Sequence, residues 1–207
     1  METGNVAQWV SAIVSAIIAI LAIWGEFIRS QLAGPRLAVT LLNPDGEKTV
    51  WTGPGIAPKP TRFYHLRIKN GRRWAPARNV RIVLTGLART GADHSFASLP
   101  LSGPLQLQWQ FAQTSPQYPV IGPDHTCDLG HGESDSGFSL STYVTPNNFR
   151  RMIAGNQRMR VEIRGLADNG ESEPLFLEIA WDGEWSDDTV EMRRHLIVKA
   201  VTSVDGN

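Results

Sequence analysis

The sequence predicts a mainly β protein, in which an N-terminal transmembrane α-helix is followed by an antiparallel β-sandwich with one short helix. Three observations support this prediction. Residues 6–28 form a long apolar run, the hydrophobic period changes to two after Arg36, and Gly-, Pro- and Asn-rich turns separate the alternating runs. We expect a helix in residues 1–30 with a span of about 6–28, a joint at 31–36 and a soluble domain at 37–207.

The apolar run predicts a membrane helix. Residues 10–24 carry no charge, and the 23 residues from Val6 to Ile28 reach roughly 34 Å as a helix, which exceeds the ~30 Å hydrocarbon core of a bilayer. Trp9 and Trp24 lie near opposite ends of the run, where aromatic rings favour the membrane interface. Gly34-Pro35 ends the pattern. A cleaved signal peptide fits less well, because residues 1–8 contain no Lys or Arg.

Flanking charges predict the orientation of this helix. No Lys or Arg precedes the run, whereas Arg29, Arg36 and Lys48 follow it. The positive-inside rule then puts the N-terminus outside and the C-terminal domain in the cytoplasm, with the helix in a bacterial inner (cell) membrane.

One side of the apolar run carries small residues. Ser11, Ser15, Ala19 and Ala22 follow one another at spacings of four, four and three. Small side chains let helix backbones approach closely, so the stripe predicts self-association of the helix. The alternative is that these residues are simply tolerated in a single-span anchor.

The rest of the chain alternates in the manner of half-buried strands. "RFYHLRIKN" places Tyr64, Leu66 and Ile68 on one face and polar residues on the other. The same pattern recurs at 78–84, 105–111, 158–164 and 175–181, and more weakly at 37–42, 137–142 and 191–201. A short helix is predicted from Thr145, as N-cap, to Gly155.

The order of these segments resembles a known kind of protein. A single N-terminal span, then "GPRL", the segment "FYHLRIKNGRRWAPARNVRIVL" and finally "LEIAWDGEWSDD" resemble uncharacterised bacterial single-pass membrane proteins with an Ig-like C-terminal β-sandwich. The resemblance implies that fold and implies no activity or site residue.

Charge is distributed unevenly although the chain is neutral overall. No acidic residue lies between Glu47 and Asp93, a stretch that holds ten Lys and Arg residues. We predict an anion-binding face there, for a small anionic molecule, a protein partner or lipid headgroups. Its predicted residues are His65, Arg67, Lys69, Arg72, Arg73, Trp74, Arg78 and Arg81, with Arg81 on a hairpin partner of the strand that carries Arg67. The alternative is that these cations pair with the acidic C-terminal strands.

Two polar runs contain residue types that can serve in catalysis or metal binding. "DHTCDLGHGES" (124–134) is interpreted as a turn, a short strand with Cys127 and Leu129 inward, and a loop loosened by Gly130 and Gly132. "AWDGEWSDD" (180–188) is interpreted as a turn and not as a calcium loop. We therefore predict no catalytic residue, no metal ligand and no cofactor.

The predicted function is a membrane-anchored, non-enzymatic binding or interaction module that recognises an anionic ligand or partner. The expected partners are the bilayer, a second copy of the chain and an anionic molecule, without sequence-specific nucleic-acid binding. One alternative is a ligand-gated membrane effector that senses a nucleotide-like anion and oligomerises through its helix. A second alternative is a metal-dependent hydrolase.

Overall fold

A computed structural model of the protein describes residues 4–52, 57–91, 93–110, 118–121, 124–145 and 153–204. Two helices and a series of strands form within these residues. In chain order they are α1 (Gly4–Ala33), β1 (Leu37–Leu41), β2 (Glu47–Trp51), β3 (Lys59–Asn70), β4 (Ala77–Thr90), β5 (Phe96–Ser98), β6 (Leu105–Gln106), β7 (Tyr118–Ile121), β8 (His125–Glu133), β9 (Gly137–Leu140), β10 (Gln157–Ala167), β11 (Gly170–Glu171), β12 (Leu175–Trp181), α2 (Thr189–His195) and β13 (Leu196–Val201).

Helix α1 is long and apolar, and it ends one residue before Gly34. Its window Val6–Gly25 has a mean hydropathy of 2.3, and none of that window is buried inside the molecule. By length and composition this helix suffices to cross a membrane, although an N-terminal signal sequence passes the same test. Ser11, Ser15, Ala19 and Ala22 are exposed along it. Membrane insertion, orientation and self-association stay predictions.

The strands form two antiparallel sheets that enclose one core, which confirms the mainly β fold. The first sheet has the order β1-β3-β8-β9, and β2 also pairs with β3. The second sheet has the order β13-β12-β10-β4-β5, with β6, β7 and β11 attached to its central strands. The alternation in β3 is confirmed, because Tyr64, Leu66 and Ile68 are completely buried. Ile82 and Leu84 of β4 meet them from the other sheet in the same hydrophobic cluster.

Strands β3 and β4 do not form the predicted hairpin. Strand β3 pairs with β1, β2 and β8, whereas β4 pairs with β10 and β5 in the other sheet. The connection from Gly71 to Pro76 therefore crosses between the sheets. The prediction that Arg81 lies beside Arg67 on a hairpin partner is wrong for this reason.

The second described helix, α2, lies in a segment that was predicted to be a strand. Most of the predicted helix, residues 146–152, lies outside the described residues, and Ile153 forms a bridge with Phe138. Helix α2 occupies the first part of the predicted strand 191–201. It begins after Asp188, whose side chain accepts hydrogen bonds from the amides of Val190 and Glu191.

Within the run 124–134, residues His125–Glu133 form the strand β8, so the predicted loop around Gly130 and Gly132 is wrong. Cys127 and Leu129 are completely buried, as predicted. Gly130 and Gly132, however, both lie within β8. Each is closely packed against a neighbouring group. A Cβ atom on Gly130 would lie 2.4 Å from the carbonyl oxygen of Ser139, and one on Gly132 would lie 2.7 Å from Leu196.

The sandwich has two ends that the strands connect. At the α1 end, α1 leads into β1, β3 leads into β4, and β10 turns into β11. At the far end, β4 finishes at Thr90, β10 begins at Gln157, and α2 leads into β13. Strand β4 runs the whole length, so the two ends are on the order of 40 Å apart.

Candidate anion-binding surface

The predicted anion-binding residues occupy three separate places. His65, Arg67 and Lys69 lie on β3, opposite its core-facing side chains. Arg72, Arg73 and Trp74 lie in the loop between β3 and β4, which we call the basic loop. Arg78 and Arg81 are exposed on β4, in the other sheet. The structure therefore does not join these residues into one face.

His65 lies between two carboxylates. Its Nδ1 is 2.9 Å from Asp128 Oδ1 on β8, and its Nε2 is 3.4 Å from Glu47 Oε2 on β2. The hydrogen bond to Asp128 raises the pKa of His65 despite the opposing effect of burial. The residue is only 6% exposed, so both ring nitrogens are engaged inside the protein and are not presented to an external ligand.

A cavity of about 290 Å³ opens beside His65. Glu47, Asp128 and the ring of Phe63 contribute to its wall. The Phe63 ring continues into a row of rings, with centroids 5.2 Å from His131 and 6.3 Å from Trp51. Burial lowers the pKa of His131. Carboxylates and aromatic rings repel a small anion, so this face does not suit the predicted ligand.

Arg67 is paired with the strand next to it. Its Nε lies 2.8 and 2.7 Å from the two carboxylate oxygens of Asp124, and Nη2 also bonds that carboxylate. This pairing lowers the pKa of Asp124. Asp124 comes directly before β8, so the partner of Arg67 belongs to the middle of the chain and not to the acidic C-terminal strands.

The basic loop carries two arginines, of which Arg73 makes no hydrogen bond or ion pair within the described part of the chain. Arg72 Nη1 donates to the carbonyl oxygen of Gly34 at 2.9 Å, and the guanidinium carbon lies 5.4 Å from the centre of the Trp74 ring. Arg73 is exposed, and Trp74 is 67% exposed. The loop thus presents two guanidinium groups and an indole ring next to the end of α1.

Asn70 fixes the shape of the basic loop, a role that the sequence reasoning missed. Its side-chain oxygen accepts from the amides of Arg36 and Arg72, both at 3.1 Å, and its Nδ2 donates to the carbonyl of Ala75 at 2.7 Å. The amide of Gly71 donates to the Arg36 carbonyl at 2.8 Å. The Asn-Gly pair at 70–71 is a turn motif, so the sequence does indicate a structural role for Asn70.

Acidic side chains share the α1 end with the cations. Glu171 and Glu173 are exposed near β11, and Asp168 bonds the side-chain nitrogen of Asn79. Lys69 and Arg78 are exposed at the same end. The surface is therefore mixed around its margin, and the cations are concentrated at the basic loop.

Further polar side chains lie together at the far end, where the sequence predicted no site. They come from four separate segments of the chain, at residues 90–94, 156–158, 182 and 194–195, so no local motif predicts them. Among the described residues, no group of three or more His, Cys, Asp or Glu side chains could hold a metal ion.

Comparison with known proteins adds no relative to this description. No protein-family model matches the chain, and no curated protein is similar to it at a significant level. The resemblance to bacterial single-pass proteins with an Ig-like domain consequently stays a prediction.

Proposed function

We propose that this protein is a membrane-anchored, non-enzymatic binding module whose basic loop lies against anionic lipid headgroups on the cytoplasmic side of a bacterial cell membrane. One observation carries the proposal. The Arg72 guanidinium bonds the carbonyl of Gly34, the residue that follows the last residue of α1. The loop is thereby held beside the point where the chain leaves the apolar helix.

The distance from the apolar window to the loop leaves the loop within electrostatic reach of the headgroups. Ala33 follows Gly25, the end of the apolar window, by eight positions, a rise of about 12 Å in a helix. The headgroup layer adds roughly 5–8 Å on each side of the hydrocarbon core. Charges beyond it still act over a Debye length of about 8 Å at physiological salt. A tilt of α1 brings the loop closer.

The side chains of the loop suit a lipid surface. A cation near an anionic membrane contributes about 1 kcal/mol, and Trp rings favour the interface. Arg36, which is exposed beside the loop, adds a third cation. Together these groups would hold the sandwich in one orientation, with its far end directed away from the bilayer.

Fluorescence of the full chain in lipid nanodiscs tests the proposal. Brominated acyl chains quench nearby indoles, and the difference between wild type and Trp74→Phe isolates the Trp74 signal. We expect stronger quenching of Trp74 in discs with anionic lipid than in zwitterionic discs. The double variant Arg72→Glu, Arg73→Glu should abolish that difference.

The matched control is Arg81→Glu, which reverses the charge of an exposed arginine on the outer side of the other sheet. In this variant, Trp74 fluorescence should be quenched to the same extent as in the wild type. Equal quenching in anionic and zwitterionic discs would contradict the proposal, as would an equal effect of Arg81→Glu and the loop variant.

A further inference from the structure

A cavity of about 470 Å³ lies at the far end of the second sheet. The ends of β4, β10 and β12 form it together with α2 and the start of β13. Its lining residues include Arg158, Arg194, His94, His195, Asn156 and Gln157 on the polar side. Ala180, Trp181 and Ile197 supply an apolar wall.

The two arginines of this cavity are available to a ligand. Arg158 Nη1 lies 3.9 Å from Glu178, but Glu178 is bound more closely by Arg160 at 2.9 Å and by Lys199 at 3.5 Å. The Arg194 side chain makes no hydrogen bond or ion pair within the described part of the chain. Both residues are exposed, so their guanidinium groups can turn toward a bound anion.

Among the described residues that line the cavity, Asp182 carries the one carboxylate, and it is already engaged, while Glu184 Oε2 lies 3.7 Å from His195 Nδ1 at the margin. Asp182 Oδ2 lies 2.8 Å from His195 Nδ1, and Asp182 Oδ1 accepts from the amide of Glu184 at 2.9 Å. The hydrogen bond to Asp182 raises the pKa of His195. Asp182 is therefore paired within the protein, and the guanidinium groups of Arg158 and Arg194 are the permanent positive charges among the described lining residues.

We propose that this cavity binds a small phosphorylated ligand with a planar or apolar body, such as a nucleoside phosphate. Guanidinium groups match phosphate oxygens in a two-pronged geometry, and the neighbouring amides of Asn156 and Gln157 add donors. The apolar wall accommodates the rest of the molecule. The volume falls in the range of small-molecule sites, roughly 300–1,000 Å³, and exceeds the space that a phosphate ion fills.

The backbone at the rim agrees with a formed site. His94 and Asn156 both have a φ of 61°, in the left-handed region. This conformation is uncommon for residues other than glycine, and Asn and His adopt it more readily than most. It directs two segments that are distant in sequence toward the same cavity.

Calorimetry on the full chain in detergent tests the site, with ADP, pyrophosphate and adenosine as probes. We expect ADP to bind, pyrophosphate to bind at least ~10-fold more weakly, a loss of about 1.4 kcal/mol, and adenosine to give no measurable heat. Arg158→Glu and Arg194→Glu should each weaken ADP binding by at least ~10-fold. Their thermal unfolding, recorded alongside, reports whether the fold is retained.

The matched control is Arg73→Glu in the basic loop, which should bind ADP like wild type. This control separates the cavity from the lipid proposal, because the loop can fail its own test while the cavity passes. The absence of binding by both ADP and pyrophosphate would overturn the proposal. Equal binding of ADP and pyrophosphate would overturn the role of the apolar wall, and equal binding of ADP and adenosine would overturn the role of the arginines.

Discussion

The outward side of β3 and the basic loop follow each other in the chain and carry similar side chains, but they differ in the groups that surround their cations. On β3, His65 and Arg67 meet the carboxylates of Asp128 and Asp124. In the loop, Arg73 is exposed and has no carboxylate partner among the described residues. A carboxylate neutralises the cation beside it, whereas an exposed arginine without such a partner keeps its charge. The neighbours of a cation therefore decide whether its charge is available to an external ligand.

A bulge in β8 brings the carboxylate to His65. Tyr64 pairs with Gly130, but His65 pairs with Asp128, so Leu129 is the extra residue between them. Without that shift in register, Leu129 would lie opposite His65 and the histidine would lack its partner. The strand pairing of β1 with β3 ends at Asn70, and in the loop that follows, the amide of Gly71 bonds the carbonyl of Arg36, the residue before β1.

The largest expected effect comes from disturbing β8 where it packs most tightly. Gly130→Ala places a Cβ 2.4 Å from the Ser139 carbonyl oxygen and 2.8 Å from the Phe138 ring. We expect the free energy of unfolding to fall by about 3 kcal/mol or more, measured by urea unfolding with Trp fluorescence. Gly103→Ala is the control, because nothing lies within 4 Å of its Cβ. A Gly130→Ala protein as stable as Gly103→Ala would contradict the packing of β8 against β9.

The sequence predicted the alternating strands well and their partners poorly. The burial of Tyr64, Leu66 and Ile68 follows from the local period of two, which needs no knowledge of the rest of the chain. The pairing of Arg67 with Asp124 joins residues 57 positions apart, and no local pattern encodes it. Strand β2 was missed because it is exposed along its whole length and thus lacks the alternation.

Helix α2 shows that a local alternating pattern can also predict the wrong element. The segment 191–201 alternates well enough to predict one strand, but Asp188 caps a helical turn that ends at His195. Met192 from that helix is buried in the shared core. Helix α2 contributes Arg194 and His195 to the far-end cavity. A strand over 191–201 therefore does not predict this cavity.

A smaller effect is expected from removing the partner of His65. Asp128→Ala leaves a nearly buried imidazole without its closest acceptor, at 2.9 Å in the native protein. We expect the free energy of unfolding to fall by about 2 kcal/mol, the typical cost of an unsatisfied buried group. Asp135→Ala, which removes an exposed partner of Lys59, should shift the urea midpoint much less. Equal shifts would show that the carboxylate at β3 is no more important than one at the surface.

The pH dependence of stability should identify His65 as a charged group. Its pKa is raised in the folded protein, so protonated His65 stabilises fully below the unfolded value of 6.5, and this stabilisation is lost as pH rises through the folded pKa. Asp128 and Glu47 face the ring from β8 and β2, with His131 on the same side of the sheet. The gap in urea midpoint between wild type and His65→Asn should therefore be wider at pH 6 than at pH 9. A gap that stays constant with pH would show that His65 is neutral in the fold.

The smallest effect is expected at the exposed pair Arg67–Asp124, whose side chains are 40% and 39% accessible. A double-mutant cycle with Arg67→Ala and Asp124→Ala should give a slight coupling in urea midpoint that disappears in high salt, because solvent screens exposed charges. Arg73→Ala should leave the midpoint unchanged and still reduce the lipid-dependent quenching of Trp74. A coupling that persists in high salt would mean that the pair is part of the fold. A weak coupling would mean that Asp124 neutralises Arg67 at little benefit to stability, so the pair would matter for the availability of charge and not for the fold.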